Sequence, residues 1–172
     1  YTTDAYMREF QATVVGHVDG GVVLDRTVFF PGGGGQPFDT GSLSVESDLW
    51  SVTAVKKVNG ELAHFIEGDL PAIGTVVTGV LDWERRYSLM RTHTAMHILC
   101  GVVFRDYGAQ VTGGNMDPLQ GRMDFEFETM RHELVAAIEE AVNAEVAAAR
   151  PVRVRILPRE EAFAIPDLIR TK

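Results

Sequence analysis

Apolar and polar positions alternate along most of the first half of the chain, which is the period of a strand with one buried face. FQATVVGHVD (10–19) and VVLDRTVFF (22–30) read as strands joined at Gly20-Gly21. LWSVTAVKKV (49–58) and ELAHFIEG (61–68) flank Asn59-Gly60, a strong two-residue hairpin signal, and TVVTGVLD (75–82) is a further strand. Short strands with turn signals between them predict a small barrel or curled sheet. Near Asp82 the period changes to that of a helix, running from Trp83 to about Tyr107, with Asp82 as N-cap and Gly108 as the stop. GRMDFEFE (121–128) alternates again. Thr129 is placed to cap a second helix reaching about Ala149, with Pro151 after it. VRVRIL (152–157) alternates like another strand, and PREEAF (158–163) suits a short helix. The fold class is α+β: a β-barrel-like domain over 1–82, then an α+β domain over 83–172.

Composition narrows the class without changing that picture. The chain has 172 residues, 45% apolar and 23% charged, as in a soluble globular protein. No run of about 18 apolar residues suggests a membrane span, and YTTDAYMREF does not look like a signal peptide. A single cysteine, Cys100, leaves no internal disulfide and makes the cytoplasm the expected compartment. Cys100 itself reads as a small buried apolar residue. The net charge of −8 argues against indiscriminate nucleic-acid binding. Its distribution is uneven: residues 1–82 hold 4 basic and 11 acidic side chains, residues 83–172 hold 12 and 13. Eleven of those twelve are arginine, the better fork for phosphate, so a phosphate backbone would meet the second half. Arg85, Arg86 and Arg91 at the start of the first helix, and Arg150, Arg153, Arg155 and Arg159 beyond the second, are candidates to flank an RNA stem. Ordinary surface charge is the equal alternative.

RTHTAMHIL (91–99) places His93 and His97 one helical turn apart. Imidazoles at i and i+4 share a face and can converge on one metal ion, the spacing of many zinc sites. Zinc takes four ligands, and this pair supplies two. Cys100 lies seven residues from His93, about 10 Å along the axis, too far to join it on the same ion. The spacing alone leaves ordinary histidines as the commoner reading. FFPGGGGQPFDTG (29–41) offers several backbone N–H groups at close approach to a ligand. It lacks the Gly-Lys-Ser/Thr of a P-loop, and Pro37 blocks the helix such a loop needs. A tight strand connection is the bland alternative.

Taken in order, FFPGGGGQPFDTG, RTHTAMHIL and GAQVTGGNMDPLQGRMDFEFE resemble the alanyl-tRNA editing proteins (AlaX), freestanding relatives of the editing domain of alanyl-tRNA synthetase. The resemblance covers nearly the whole chain and points to the longer kind, with an N-terminal β domain before an editing domain of the threonyl/alanyl-tRNA synthetase type. It implies an ester hydrolase acting on mischarged tRNA(Ala), chiefly seryl-tRNA(Ala) and also glycyl-tRNA(Ala), with no need for ATP. It implies Zn2+ on His93 and His97 plus a later Cys-x-x-x-His pair. That pair is absent from this sequence, which ends at IPDLIRTK, and the expectation is that it belongs to a C-terminal stretch outside the chain. It implies that Gln110 and Thr112 line the editing pocket as its catalytic residues, with Thr112 meeting the serine hydroxyl. It implies that Gly33, Gly34, Gly35 and Gln36, with Arg91, face the tRNA. The expected partner is mischarged tRNA(Ala), met by a monomer.

Two other readings follow from the same residues. HxxxH without the Glu of HExxH lacks the usual metalloprotease base, so another zinc hydrolase is a weak alternative. A non-catalytic tRNA-binding module, or a fragment of a full synthetase, is the stronger one. Zinc content separates the module from the enzyme. No Ser-His-Asp or Cys-His arrangement suggests a covalent nucleophile.

Overall fold

The computed structural model describes residues 1–127 and 132–166. Six strands close into an antiparallel barrel in the order β1-β2-β5-β4-β3-β6: β1 Glu9–Val18, β2 Gly21–Leu24, β3 Gly41–Val45, β4 Asp48–Val58, β5 Glu61–Ile66 and β6 Val76–Leu81. The alternation of β1 does what its pattern predicts, turning Phe10, Ala12 and Val14 inward. Asn59 and Gly60 both take positive φ, +50° and +92°, so the β4–β5 hairpin turns as its dipeptide predicts. The ladder shifts register between Val14 and Gly16 and between Val52 and Ala54, irregularities of the kind that bend a sheet towards closure.

One strand prediction is corrected here, and one strand was not foreseen. The strand drawn over 22–30 ends at Leu24. Val28 and Phe29 are buried in the barrel core without belonging to a ladder, so their apolar pattern recorded burial rather than strand pairing. β3 was not predicted, because GSLSV is too poor in strand formers to stand out, yet it pairs with both β4 and β6.

Helix α1 spans Trp83–Tyr107, with the predicted caps at both ends. Asp82 Oδ1 accepts the Arg85 N–H at 3.1 Å, and Gly108, at φ +68°, donates to the Phe104 carbonyl at 2.9 Å. A two-stranded sheet follows, β7 Val111–Asp117 and β8 Gln120–Phe125, then α2 His132–Ala147 and α3 Arg159–Phe163. The proposed cap Thr129 lies outside the described residues. Residues 152–157 form no strand. Val152, Val154 and Ile156 are exposed, because alternation specifies a strand only where a neighbouring edge supplies the ladder. Among the described residues, no helix is long and apolar enough to cross a membrane.

By contacts the chain divides into two units. One holds Tyr1–Arg91 together with Met116–Gln120; the other holds Thr92–Asn115 and the chain from Gly121 onward. The first is built on the barrel core. The second is built on Val103, Ala109 and Ile138, with Leu99, Leu134 and Val142 among the apolar side chains packed around them.

Candidate functional site

The glycine-rich loop is a turn held at both ends. Gly33 and Gln36 exchange backbone hydrogen bonds of 3.0 and 3.1 Å around Gly34 and Gly35. Those two sit at φ +61° and +82°, with Gly32 and Gly33 also positive, a run that L side chains resist. The Gly35 carbonyl accepts the Met116 N–H at 3.0 Å, tying the turn to the end of β7 within the same unit. Gly33, Gly34 and Gly35 are exposed and Gln36 is half-buried.

The stem of this loop is clamped by the first turn of α1. Arg86 is buried against Asp39, its Nε lying 3.0 and 3.1 Å from the two carboxylate oxygens. It also donates to the Val28 carbonyl at 2.7 Å and the Ala5 carbonyl at 2.8 Å. Asp39 accepts the Phe30 N–H at 2.6 Å. Arg85 donates to the Phe38 carbonyl from Nε and from an Nη, at 3.3 and 3.2 Å. These contacts correct the reading of Arg86 as an RNA-facing cation. It is 3% exposed, and its guanidinium is spent on the loop. Sequence reasoning missed this pair because Asp39 and Arg86 are 47 residues apart and neither has a local signature.

His93 and His97 lie side by side on the exposed surface of α1. Their ring centroids are 4.9 Å apart and their planes differ by 11°. Partial desolvation, and then the neighbouring His97, hold His93 below the ordinary histidine pKa. A neutral ring is the form that ligates a metal. The pair therefore fits half of a zinc site. Among the described residues, no group of three or more His, Cys, Asp or Glu is placed to hold an ion. Cys100 is half-buried rather than buried, on the same helix.

Glycines bring the β7–β8 hairpin against the histidine helix, inside the second unit. A Cβ on Gly121 would lie 2.9 Å from the Met96 sulfur and 3.3 Å from the Thr92 methyl, and one on Gly114 would lie 3.5 Å from the Met96 methyl. Thr112, two residues before Gly114, shares its face of β7, the face turned to Met96. Thr112 is exposed. Gln110 precedes β7 and is half-buried; its carbonyl accepts the Glu126 N–H at 3.0 Å. Arg91 is exposed on α1. A cavity of about 420 Å³ lies between the second half of α1 and the end of α2; of the predicted residues only the RNA-flanking candidate Arg150 lines it, and none of the metal, pocket or glycine-loop residues does. Arg105 and Arg150 at its rim both pair with Glu145, at 2.6 and 2.8 Å.

Comparison with known proteins decides the family. The chain is 43% identical to the alanyl-tRNA editing protein AlaX-M of Methanosarcina barkeri, over 94% of this chain and 70% of that one. It is 41% identical to the AlaX-M protein of Saccharolobus solfataricus, over 99% of this chain and 72% of that one. This chain belongs to the alanyl-tRNA editing protein AlaX-M family. A family model described as tRNA synthetases class II (A) also matches residues 3–85, which span the whole barrel. The alanine–tRNA ligase of Pyrobaculum neutrophilum is 42% identical over 94% of this chain, which covers 18% of that enzyme. Membership gives the histidine helix and the glycine-rich loop a common context that neither motif had alone.

Proposed function

We propose that this chain hydrolyses the ester of mischarged tRNA(Ala), chiefly seryl-tRNA(Ala) and also glycyl-tRNA(Ala), acting in the cytoplasm as a monomer. The observation that carries the reading is the stacked His93–His97 pair on a helix whose side packs against the strand bearing Thr112. Family membership supports the substrate class. An aminoacyl ester is already labile, so the chain has mainly to position a water and stabilise the tetrahedral oxyanion.

The cofactor assigned to His93 and His97 is Zn2+, which supplies a Lewis acid for a carbonyl or a bound water. Its remaining ligands are not among the described residues. The depressed pKa of His93 keeps its ring nitrogen available near neutral pH. Gln110 and Thr112 line the pocket, and the Thr112 hydroxyl meets the hydroxyl of a serine ester. When an alanine ester enters, that hydroxyl is left unpaired, which is how such a site discriminates. Gly33, Gly34, Gly35 and Gln36 present backbone and amide groups to the tRNA acceptor end, and Arg91 adds a cation.

The test is the deacylation rate of seryl-tRNA(Ala), with alanyl-tRNA(Ala) as control, together with zinc stoichiometry. Serine-selective hydrolysis, and bound zinc that falls in His93→Ala and His97→Ala, is the expected result. Tight tRNA binding without hydrolysis or zinc would favour a binding module instead.

A further inference from the structure

The start of α1 carries an aromatic cluster that the proposed chemistry leaves unused. Trp83 stacks on Tyr87, one turn along, with centroids 5.6 Å apart and planes at 25°. Tyr6 leans against Trp83 at 5.7 Å, and the Arg8 guanidinium carbon sits 4.1 Å from the Trp83 ring centre. This is not core. Tyr6 is 62% exposed and Tyr87 45%, with Met7 and Arg8 also open to solvent. Arg91, exposed, follows Tyr87 by one further turn of the same helix. All of these residues lie in the barrel unit.

Aromatic rings of this size are normally driven inside by the apolar area they bury. Here they brace one another, with Trp83 half-buried and Tyr6 and Tyr87 exposed. A ring held by its neighbours loses little freedom when something stacks on it. Open π faces beside guanidinium groups are the chemistry that holds an unpaired nucleobase. The local charge points the same way. Asp4 and Glu84, exposed and close in sequence to Tyr6 and Trp83, offset the charges of Arg8 and Arg91. The patch would hold a duplex poorly through phosphate contacts, and a base by stacking well.

We propose that Tyr6, Trp83 and Tyr87, with Arg8 and Arg91, form a stacking platform for the unpaired nucleotides at the 3′ end of an RNA substrate. The proposal rests on the tRNA reading above for the identity of that RNA.

The test uses fluorescence anisotropy with two RNA hairpins, one blunt and one carrying an unpaired ACCA 3′ tail. The wild-type chain is expected to bind the tailed hairpin more tightly. Tyr87→Ala should remove about tenfold of that preference, within the range seen when a stacking aromatic is truncated, and leave blunt-hairpin affinity unchanged. Tyr87→Phe should retain the preference, because the stacking face remains. Arg91→Gln should lower the salt slope by about 0.7, the share of one phosphate contact on a single strand, whereas Tyr87→Ala should leave it unchanged. Circular dichroism confirms that each variant is folded. A wild-type chain indifferent to the tail would overturn the platform. So would a Tyr87→Ala chain that keeps the tail preference or loses both hairpins equally. Deacylation is scored separately: tail preference without hydrolysis would retire the hydrolase reading and keep the platform, and hydrolysis without tail preference would do the reverse.

Discussion

In the barrel unit twelve apolar residues form one buried cluster, from Phe10 to Leu81, drawn from every barrel strand but β5, whose Ile66 packs against it. In the other unit the buried cluster among the described residues holds three, Val103, Ala109 and Ile138, with Val102 and Val111 buried outside it, while Leu99, Phe125, Phe127, Leu134 and Val142 are only partly covered. Burial of apolar area is the main favourable contribution to folding, so the two cores cannot be equally resistant to opening. The loop that most needs rigidity, with its run of positive-φ glycines, is mounted on the thick core and fastened by a buried ion pair. The histidine pair and the strand bearing Thr112 belong to the thin one.

The largest test of that contrast removes the fastening. Asp39→Ala leaves the Arg86 guanidinium buried without its carboxylate, and breaking a buried pair this way costs about 3–5 kcal/mol. Urea unfolding should show a loss of that size. Amide exchange should speed up in β1, β3 and β6 and in the loop stem at Phe30. A loss below ~1 kcal/mol would mean that the pair does not fasten the loop. Next in size are paired truncations. Leu43→Ala in the fully buried barrel core should cost about 4 kcal/mol, and Ile138→Ala, at the edge of a thinner core, about 2 kcal/mol. Equal costs would erase the contrast.

The sequence carried most of the barrel and all of α1, because those elements are specified locally. Alternation marked the inward residues of β1, Asn59-Gly60 marked its hairpin, and Asp82 and Gly108 marked the two ends of the helix. It failed where a contact is remote. The Asp39–Arg86 pair turned an apparent RNA-facing arginine into a loop fastener. Residues 152–157 carry the alternation of a strand without a ladder to join. The candidate site was legible as motifs rather than as geometry. His93 and His97 announced their shared face by spacing, whereas the approach of Gly114 and Gly121 to Met96 depends on a hairpin packing that no local pattern encodes.

A smaller effect separates the units by pH. His64 is fully buried in the barrel, with Nδ1 3.0 Å from the Val22 carbonyl and Nε2 2.8 Å from the Thr27 hydroxyl. Burial lowers its pKa below the ordinary value of 6.5, against the pull of the Val22 carbonyl. The folded ring is therefore neutral at a pH where the unfolded ring is protonated. The stability this contributes is present above pH ~6.5 and is lost as pH falls below it, with a slope of at most about 1.4 kcal/mol per unit. Unfolding free energies between pH 7.5 and pH 5.5 should fall with that sign in the wild type. They should fall less steeply in His64→Gln. His93 shifts in the same direction for a weaker reason, since it is exposed. A wild-type slope that vanishes in His93→Ala but survives in His64→Gln would place the titration in the wrong unit.

The smallest effect expected is on selectivity. Thr112 is exposed, on the face of β7 that Gly114 turns towards Met96 of the histidine helix. A single hydroxyl contact contributes about 0.5–1.5 kcal/mol net, or roughly two- to tenfold in rate. Thr112→Val keeps the branched shape and removes the hydroxyl, so folding should be unchanged to within ~0.5 kcal/mol. Deacylation of the serine ester should then fall by that two- to tenfold factor, with the alanine and glycine esters unaffected. The gap between serine and alanine esters narrows as a result. Uniform losses on all three esters would mean that Thr112 shapes the strand rather than reads the side chain. A selective loss would place substrate discrimination on the thinly packed unit, where a pocket can adjust, and leave the rigid barrel to hold the RNA.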